Sequence, residues 1–277
     1  MGTAIQELTP VSTGRTHATR NALGYQFLGV LIAVVLWQLI DMTLITNLQF
    51  RQGFSPANTA RKLVMFFAKG SFTHHALPSL RRVGIGLFFA VLTGIPLGVL
   101  VGYFTRFHQI TNTVFQFIRM TSPLAWMPIA VILFGVGDQP VCFLLTVAAV
   151  WPIVINTAHG VRSVNPLWIK VVRMLGGRDS DVLRRAIIPA VIPDMLTGLR
   201  IALGTCWIVL VPAEMLGVSS GLGYYILDTR DRFDYGELMA VILVIGFLGF
   251  VSDSILAMAQ RKWSWQTSQQ GGYWFGV

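Results

Sequence analysis

Charge is what this sequence has least of. Asp, Glu, Lys and Arg make up 12% of its 277 residues, against about 25% in an ordinary soluble domain. A water-soluble fold of this size could not coat its surface with so little charge. Cysteine is nearly absent. Cys142 and Cys206 both lie in apolar runs, which leaves no disulfide framework and no thiolate metal site. No G-x-x-x-x-G-K-[ST] stretch occurs, so the chain carries no phosphate-binding loop of that type. No Ser-His-Asp set, paired catalytic carboxylates or Cys-His cluster can be assembled, and His74-His75 is expected to be a solvated loop pair rather than a metal site. An enzyme is therefore not expected.

What is present is apolar length. Hydrophobic residues make up 54% of the chain and the mean hydropathy is +0.64. A helix needs about 20 apolar residues to cross a hydrocarbon core of about 30 Å. The runs here are continuous rather than alternating, which selects helices over barrel strands. The spacing predicts an all-α, polytopic membrane protein with six spans: Ala22 to Met42, Val83 to Phe104, a third up to about Val136, Gln139 to Val161, Pro193 to Ala213, and Leu238 to Gln260. Residues 1–21 are expected to be a mobile N-terminal tail and not a cleaved leader. The membrane domain is expected over 22–262, and a polar, aromatic tail over 263–277. Between the first two spans lies a long connection over 43–80, with an amphipathic helix expected after Ser55-Pro56.

The net charge is +9, but the basic residues sit between apolar runs, where they act as topology signals rather than nucleic-acid ligands. With six spans both termini share a side. That side holds eleven basic residues, counting six in the loop 162–190, and the other side holds eight. The excess predicts cytoplasmic termini.

The loop 162–190 is the most informative stretch. Asn165-Pro166 can cap and start a helix. Leu167, Val171, Met174 and Leu175 then share an apolar face, opposite Lys170 and Arg173. Gly176-Gly177 is expected to end that helix. Asp179 or Ser180 would cap a second short helix, ended at Pro189. Two readings fit this apolar stripe: a helix pair lying on lipid headgroups, or a docking surface for a partner protein.

Inside the spans, the segment Ser122-Pro123-Leu124-Ala125-Trp126-Met127-Pro128 breaks the third. Broken backbone at membrane depth is tolerated where it is packed in protein or lines a cavity, so Trp126 and Met127 are candidates to line a pathway. Trp151 and Asn156 of the fourth span are further candidates, although an asparagine there can equally bond across helices. Glu214, near the end of the fifth span, is expected to pair structurally. Arg200 and Asp253 each lie seven residues from the cytoplasmic ends of their spans, about 10 Å deep at 1.5 Å per residue. Equal depth allows a direct two-bond pair; the alternative is that Arg200 snorkels and Asp253 caps a helix end.

Gly176, then nine residues, then Ala186-Ile187-Ile188-Pro189, resembles the cytoplasmic EAA motif of bacterial ABC-importer permeases. Lys170-Val171-Val172 replaces its namesake residues. Pro193 to Gly204, Trp207 to Leu216, Ser122 to Trp126 and Gly221-Leu222-Gly223-Tyr224 are similar to the nitrate/sulfonate/taurine/bicarbonate branch of that family, and the likeness covers roughly 75–262. The resemblance implies the type I importer permease fold, with a coupling segment at Leu167, Val171, Met174, Leu175, Gly176, Gly177, Arg178 and Pro189. It implies Thr205, Cys206 and Trp207 as pathway residues. It also implies a second permease copy, expected as a homodimer, and two cytoplasmic ATPase subunits holding ATP and Mg. The remaining implied partner is a periplasmic or lipoprotein substrate-binding protein. The setting would be a bacterial inner membrane, with lipid and no nucleic acid as surroundings. This chain would hold no cofactor.

The substrate expected is a small oxyanion, nitrate first and then a sulfonate such as taurine or bicarbonate. The connection from 47 to 82 carries six basic residues and no acid, which would make an electropositive approach. A permease of the same family carrying a heterocyclic vitamin precursor is one alternative. An unrelated secondary transporter or channel is another, although such proteins usually place coupling charges on broken helices.

Overall fold

The computed structural model describes residues 15–44, 53–68 and 70–271, all helix and connection with no strand among them. The chain divides into two compact units, residues 1–61 and 62–277. In the first, α1 (Arg15–Leu44) begins earlier than the expected span at Ala22; residues 1–14 of the expected tail lie outside the described residues. Its apolar stretch Leu28–Thr43 exposes Leu31, Ile32, Val35 and Leu39, as suits a helix whose neighbours are lipid tails. The amphipathic helix expected after Ser55 is present as α2 (Pro56–Ala68). Ser55 starts it, its Oγ accepting from Asn58 N at 3.3 Å.

The second unit contains four helices long and apolar enough to cross a membrane. They are α3 (Ser71–Tyr103), α6 (Asp138–Ser163), α8 (Asp179–Gly217) and α10 (Tyr235–Gly271). Between α3 and α6, α4 (Thr105–Met120) and the segment Pro123–Phe134 meet at 87° and together are apolar enough for a broken span or a re-entrant loop. That segment is a 3₁₀ turn, Pro123–Trp126, leading into α5 (Met127–Phe134). With α1 the expected six apolar segments are all helical.

Three boundaries differ from expectation. First, α3 starts at Ser71, so His74 and His75 are helical rather than in a loop; they stack on each other, and His75 stacks on Tyr225 at 4.4 Å. Second, α10 runs on to Gly271, into the expected C-terminal tail; residues 272–277 lie outside the described residues. Third, Pro189 does not end a short helix. A π-type turn over Val182–Ile187 leads into it, and Pro189 then falls in the first turn of the α-helical stretch Ile188–Gly217. A missing N–H costs little in a first turn.

The core forms where α6 is clasped between α3 and α8. Leu144, Leu145, Ala149, Ile153, Ala202 and Leu210 are fully or almost fully buried there. Glycine sets the spacing. A methyl at Gly86, Gly98 or Gly102 would come within 2.6 Å of the Cβ of Leu145, Thr157 or Val161 respectively. Their bare backbones let α3 lie directly against α6, the close approach that small residues permit in lipid. Gly84 faces no neighbour. On the far side Gly198 of α8 packs against Asn156 and the Pro152 carbonyl. Large side chains point outward instead: Phe88, Phe89 and Leu92 on α3, and Phe247 and Phe250 on α10.

Candidate translocation groove and coupling corner

One face of α4 is polar. His108, Asn112, Gln116 and Arg119 recur at steps of four, four and three, which places them on a single helical stripe. They look onto α6. A cavity of about 290 Å³ is lined by this stripe together with Trp151, Ile155 and Arg162. A second cavity of about 390 Å³ shares Arg119, Trp151 and Ile155 with it and adds Thr121, Asn156 and Thr205. Phe115 and Trp151 pack at 5.4 Å within the first. Arg162 donates to His108 Nε2 at 3.1 Å, since a guanidinium has only donors. Every ionisable group lining either cavity is basic; no carboxylate lines them.

Of the expected pathway residues, Trp151, Asn156 and Thr205 meet in the second cavity. Met127, Cys206 and Trp207 instead pack into the core, and Trp126 packs half-buried against it. The reason is geometric. Successive helical residues diverge by about 100°, so Thr205, Cys206 and Trp207 cannot all face one groove. Trp207 turns toward Gly249 of α10. The indole N–H groups of Trp126 and Trp207 are buried without an acceptor among the described residues.

At one end of the unit lies the glycine corner. Asn165 Oδ1 accepts from Leu167 N at 2.9 Å and starts α7 (Pro166–Met174). Leu167, Val171, Met174 and Leu175 are exposed, Met174 by 84% and Leu175 by 83%, and Trp168 joins them. Gly176 turns the chain with φ +78, and a methyl at Gly177 would strike the Val172 carbonyl at 2.7 Å. The next helix is capped at Arg178, one residue before Asp179: Asp181 Oδ2 accepts from Arg178 N at 3.0 Å. Pro189 lies across a shallow groove from Trp168 and Val171.

The opposite end is held by charge. Glu214 is fully buried and Arg82 is 1% exposed. Arg82 Nη1 donates to Glu214 Oε1 at 2.5 Å and to the Ser220 carbonyl at 2.7 Å. Its Nε and Nη2 both donate to Asp138 Oδ1. Ser79 Oγ and Gly223 N complete the Glu214 shell. Gly221, at φ +121, passes so close that a methyl would meet both Arg82 and Glu214. This network joins α3, α6, α8 and the turn into α9 (Leu222–Asp231). It also corrects the expected electropositive connection: Arg81 and Arg82 share Asp138, and Lys62 pairs with Asp234. Arg51 and Lys69 lie outside the described residues.

Between the two ends, Arg200 and Asp253 form the two-bond pair, Nε to Oδ1 at 2.6 Å and Nη2 to Oδ2 at 2.7 Å. Gln260 Nε2 donates to Thr197 Oγ1 at 2.8 Å on the same α8–α10 seam. No group of three or more His, Cys, Asp or Glu side chains could hold a metal ion among the described residues.

Residues 94–265 match the family of binding-protein-dependent transport system inner membrane components. The chain is 33% identical over 242 residues to the bicarbonate transport system permease protein CmpB of Synechococcus elongatus, covering 84% of this chain and 86% of that protein. It is 34% identical over 201 residues to the nitrate import permease protein NrtB of Leptolyngbya laminosa, covering 71% and 72%. Its fold is similar to that of a chain in inward-facing crystals of the MetNI methionine ABC transporter, with a TM-score of 0.59 at 17% identity, over 68% of this chain and 94% of that one. The bent helix pair, the glycine corner and the sequence match agree, and the chain belongs to the inner-membrane permease family of binding-protein-dependent ABC importers.

Proposed function

We propose that this permease carries a small oxyanion, nitrate or bicarbonate ahead of a sulfonate. The observation that carries the reading is the groove, whose only charged or titratable side chains among the described residues are Arg119, Arg162 and His108. A passage lined by one sign of charge concentrates ions of the other. Relatives named for bicarbonate and for nitrate support the same class. ATP and Mg belong to separate ATPase subunits in this reading, and two copies of the chain pair around the pathway. A substrate-binding protein delivers the anion from outside the membrane, and both termini face the cytoplasm. The exposed stripe of α7, with the Gly176-Gly177 corner, Arg178 and Pro189, rests on the ATPase. Closure of the ATPase pair then tilts the spans as rigid bodies.

Uptake by the assembled complex in proteoliposomes decides the substrate. Labelled nitrate or bicarbonate should accumulate with ATP. Transport of a heterocyclic cation, with no uptake of any oxyanion, would overturn the assignment. Gly176→Val forces a β-branched residue into left-handed backbone. It should leave the chain inserted while uncoupling hydrolysis from uptake, and normal coupled transport would count against docking at this corner.

A further inference from the structure

Arg119 stands in the last turn of α4, one residue before that helix ends and the chain turns by 87° into the next segment. It is exposed and lines both cavities, and it makes no ion pair or hydrogen bond among the described residues. Other arginines of this unit have partners: Arg82 has Glu214 and Asp138, Arg200 has Asp253, and Arg232 has Asp228. Arg106, Arg178 and Arg184 lie at the corner end, at helix starts or in its short helices. Arg119 is far from that end: it stands fourteen helical steps from Thr105, about 21 Å of helix, beside Trp151 in the middle of α6. An unpaired guanidinium at such depth is costly and marks an ion pathway more often than a structural device.

Across the cavity, Asn156 has a donor to spare. Asn156 gives one amide hydrogen to the Pro152 carbonyl at 2.8 Å, and its Nδ2 carries a second. The Thr205 hydroxyl gives its single hydrogen to the Ile201 carbonyl at 3.0 Å, and rotating away from that carbonyl would turn it toward an anion. No acid competes for the space. We propose that Arg119 is the anion-binding residue of the pathway, holding a planar oxyanion by two parallel N–H bonds with Asn156 and Thr205 facing it. The inference rests on the oxyanion reading above and names the site within it. The guanidinium fork matches two oxygens of nitrate or bicarbonate, which an ammonium cannot do. A cavity of about 390 Å³ is large beside the roughly 30 Å³ share of one water. The anion would sit there partly hydrated, bound well enough to enter and weakly enough to leave. His108 and Arg162 mark its continuation toward the corner end.

The test uses the assembled complex in proteoliposomes, with labelled nitrate, bicarbonate and taurine as probes, and reads anions delivered per ATP hydrolysed. Arg119→Gln should lower that ratio roughly 10-fold or more, Arg119→Lys should fall between, and Arg230→Gln should match wild type. A structural lesion slows both processes and leaves the ratio alone, so an unchanged ratio in Arg119→Gln overturns the site while the oxyanion function stands. If Arg119→Gln does not assemble, a wild-type ratio in Arg119→Lys overturns it equally. A wild-type complex that moves none of nitrate, bicarbonate and taurine removes the function and the site together.

Discussion

Arg82 and Glu214, 132 residues apart in sequence, meet at 2.5 Å with almost no exposure to solvent or lipid. Ser79 and Gly223 donate to the Glu214 carboxylate, and Arg82 donates to the Ser220 carbonyl, around the end of α8. Removing one partner leaves an uncompensated buried charge, which costs about 3–5 kcal/mol. Arg82→Met and Glu214→Gln are each expected to lower the melting temperature of the purified chain strongly. The double variant should be less unstable than the sum of the two, and melting curves of all four proteins check this.

Arg200 and Asp253 predict a different pattern, because both side chains are about two-fifths exposed. Neutralising either alone should reduce membrane-inserted, folded protein more than replacing both, since one change strands the other charge. Single and double effects that simply add would show the pair contributes nothing as a pair.

The glycine seam gives a paired expectation. Gly98→Ala places a methyl 2.6 Å from the Thr157 Cβ and 2.9 Å from the Val154 carbonyl; overpacking of this kind costs about 1–3 kcal/mol. Gly84→Ala, one helix face away and facing no neighbour, should be neutral or stabilising by up to about 1 kcal/mol through helix propensity. Thermal melts of the two variants should move in opposite directions or differ by several degrees.

Asp234 gives a pH signature outside the spans. Burial alone would raise its carboxyl. The bond from Lys62, the Glu237 backbone N–H and the charges of Lys62 and Arg232 outweigh burial and hold it below the usual carboxylate range. A depressed folded pKa stabilises the protein above the unfolded value of about 3.9. That stability is lost as pH falls through the folded pKa. Asp234→Asn keeps an N-cap for α10 but loses the pair, so its melting temperature should fall less than that of wild type between neutral pH and about pH 3.

Much of this was legible in the residues. Asn165-Pro166 and Gly176-Gly177 carry their own backbone instructions, so α7 and its corner follow from local chemistry. Equal depth on successive spans allowed Arg200 and Asp253 to pair but left a snorkelling Arg200 open; the structure shows the pair. Arg82 was not legible, because its partners Asp138 and Glu214 come from distant segments and only folding brings them together. The polar stripe of α4 was hidden by treating residues up to about Val136 as one apolar span. The four-four-three spacing of His108, Asn112, Gln116 and Arg119 could have revealed it. Thr205, Cys206 and Trp207 came together from the family resemblance, which says nothing of helix faces, and a helix separates neighbours onto different faces.

The continuity of α8 has a mechanical consequence. A single helix of 39 residues spans about 58 Å at 1.5 Å per residue, with the glycine corner beside its first turn and Glu214 in its last. Such a rod works as a lever with its fulcrum where Gly198 presses on α6. A tilt of about 5° would displace one end against the other by about 5 Å, close to the rise of one helical turn. In the proposed docking, force applied at the corner would reach the Arg82–Glu214 clasp as a displacement of this helix.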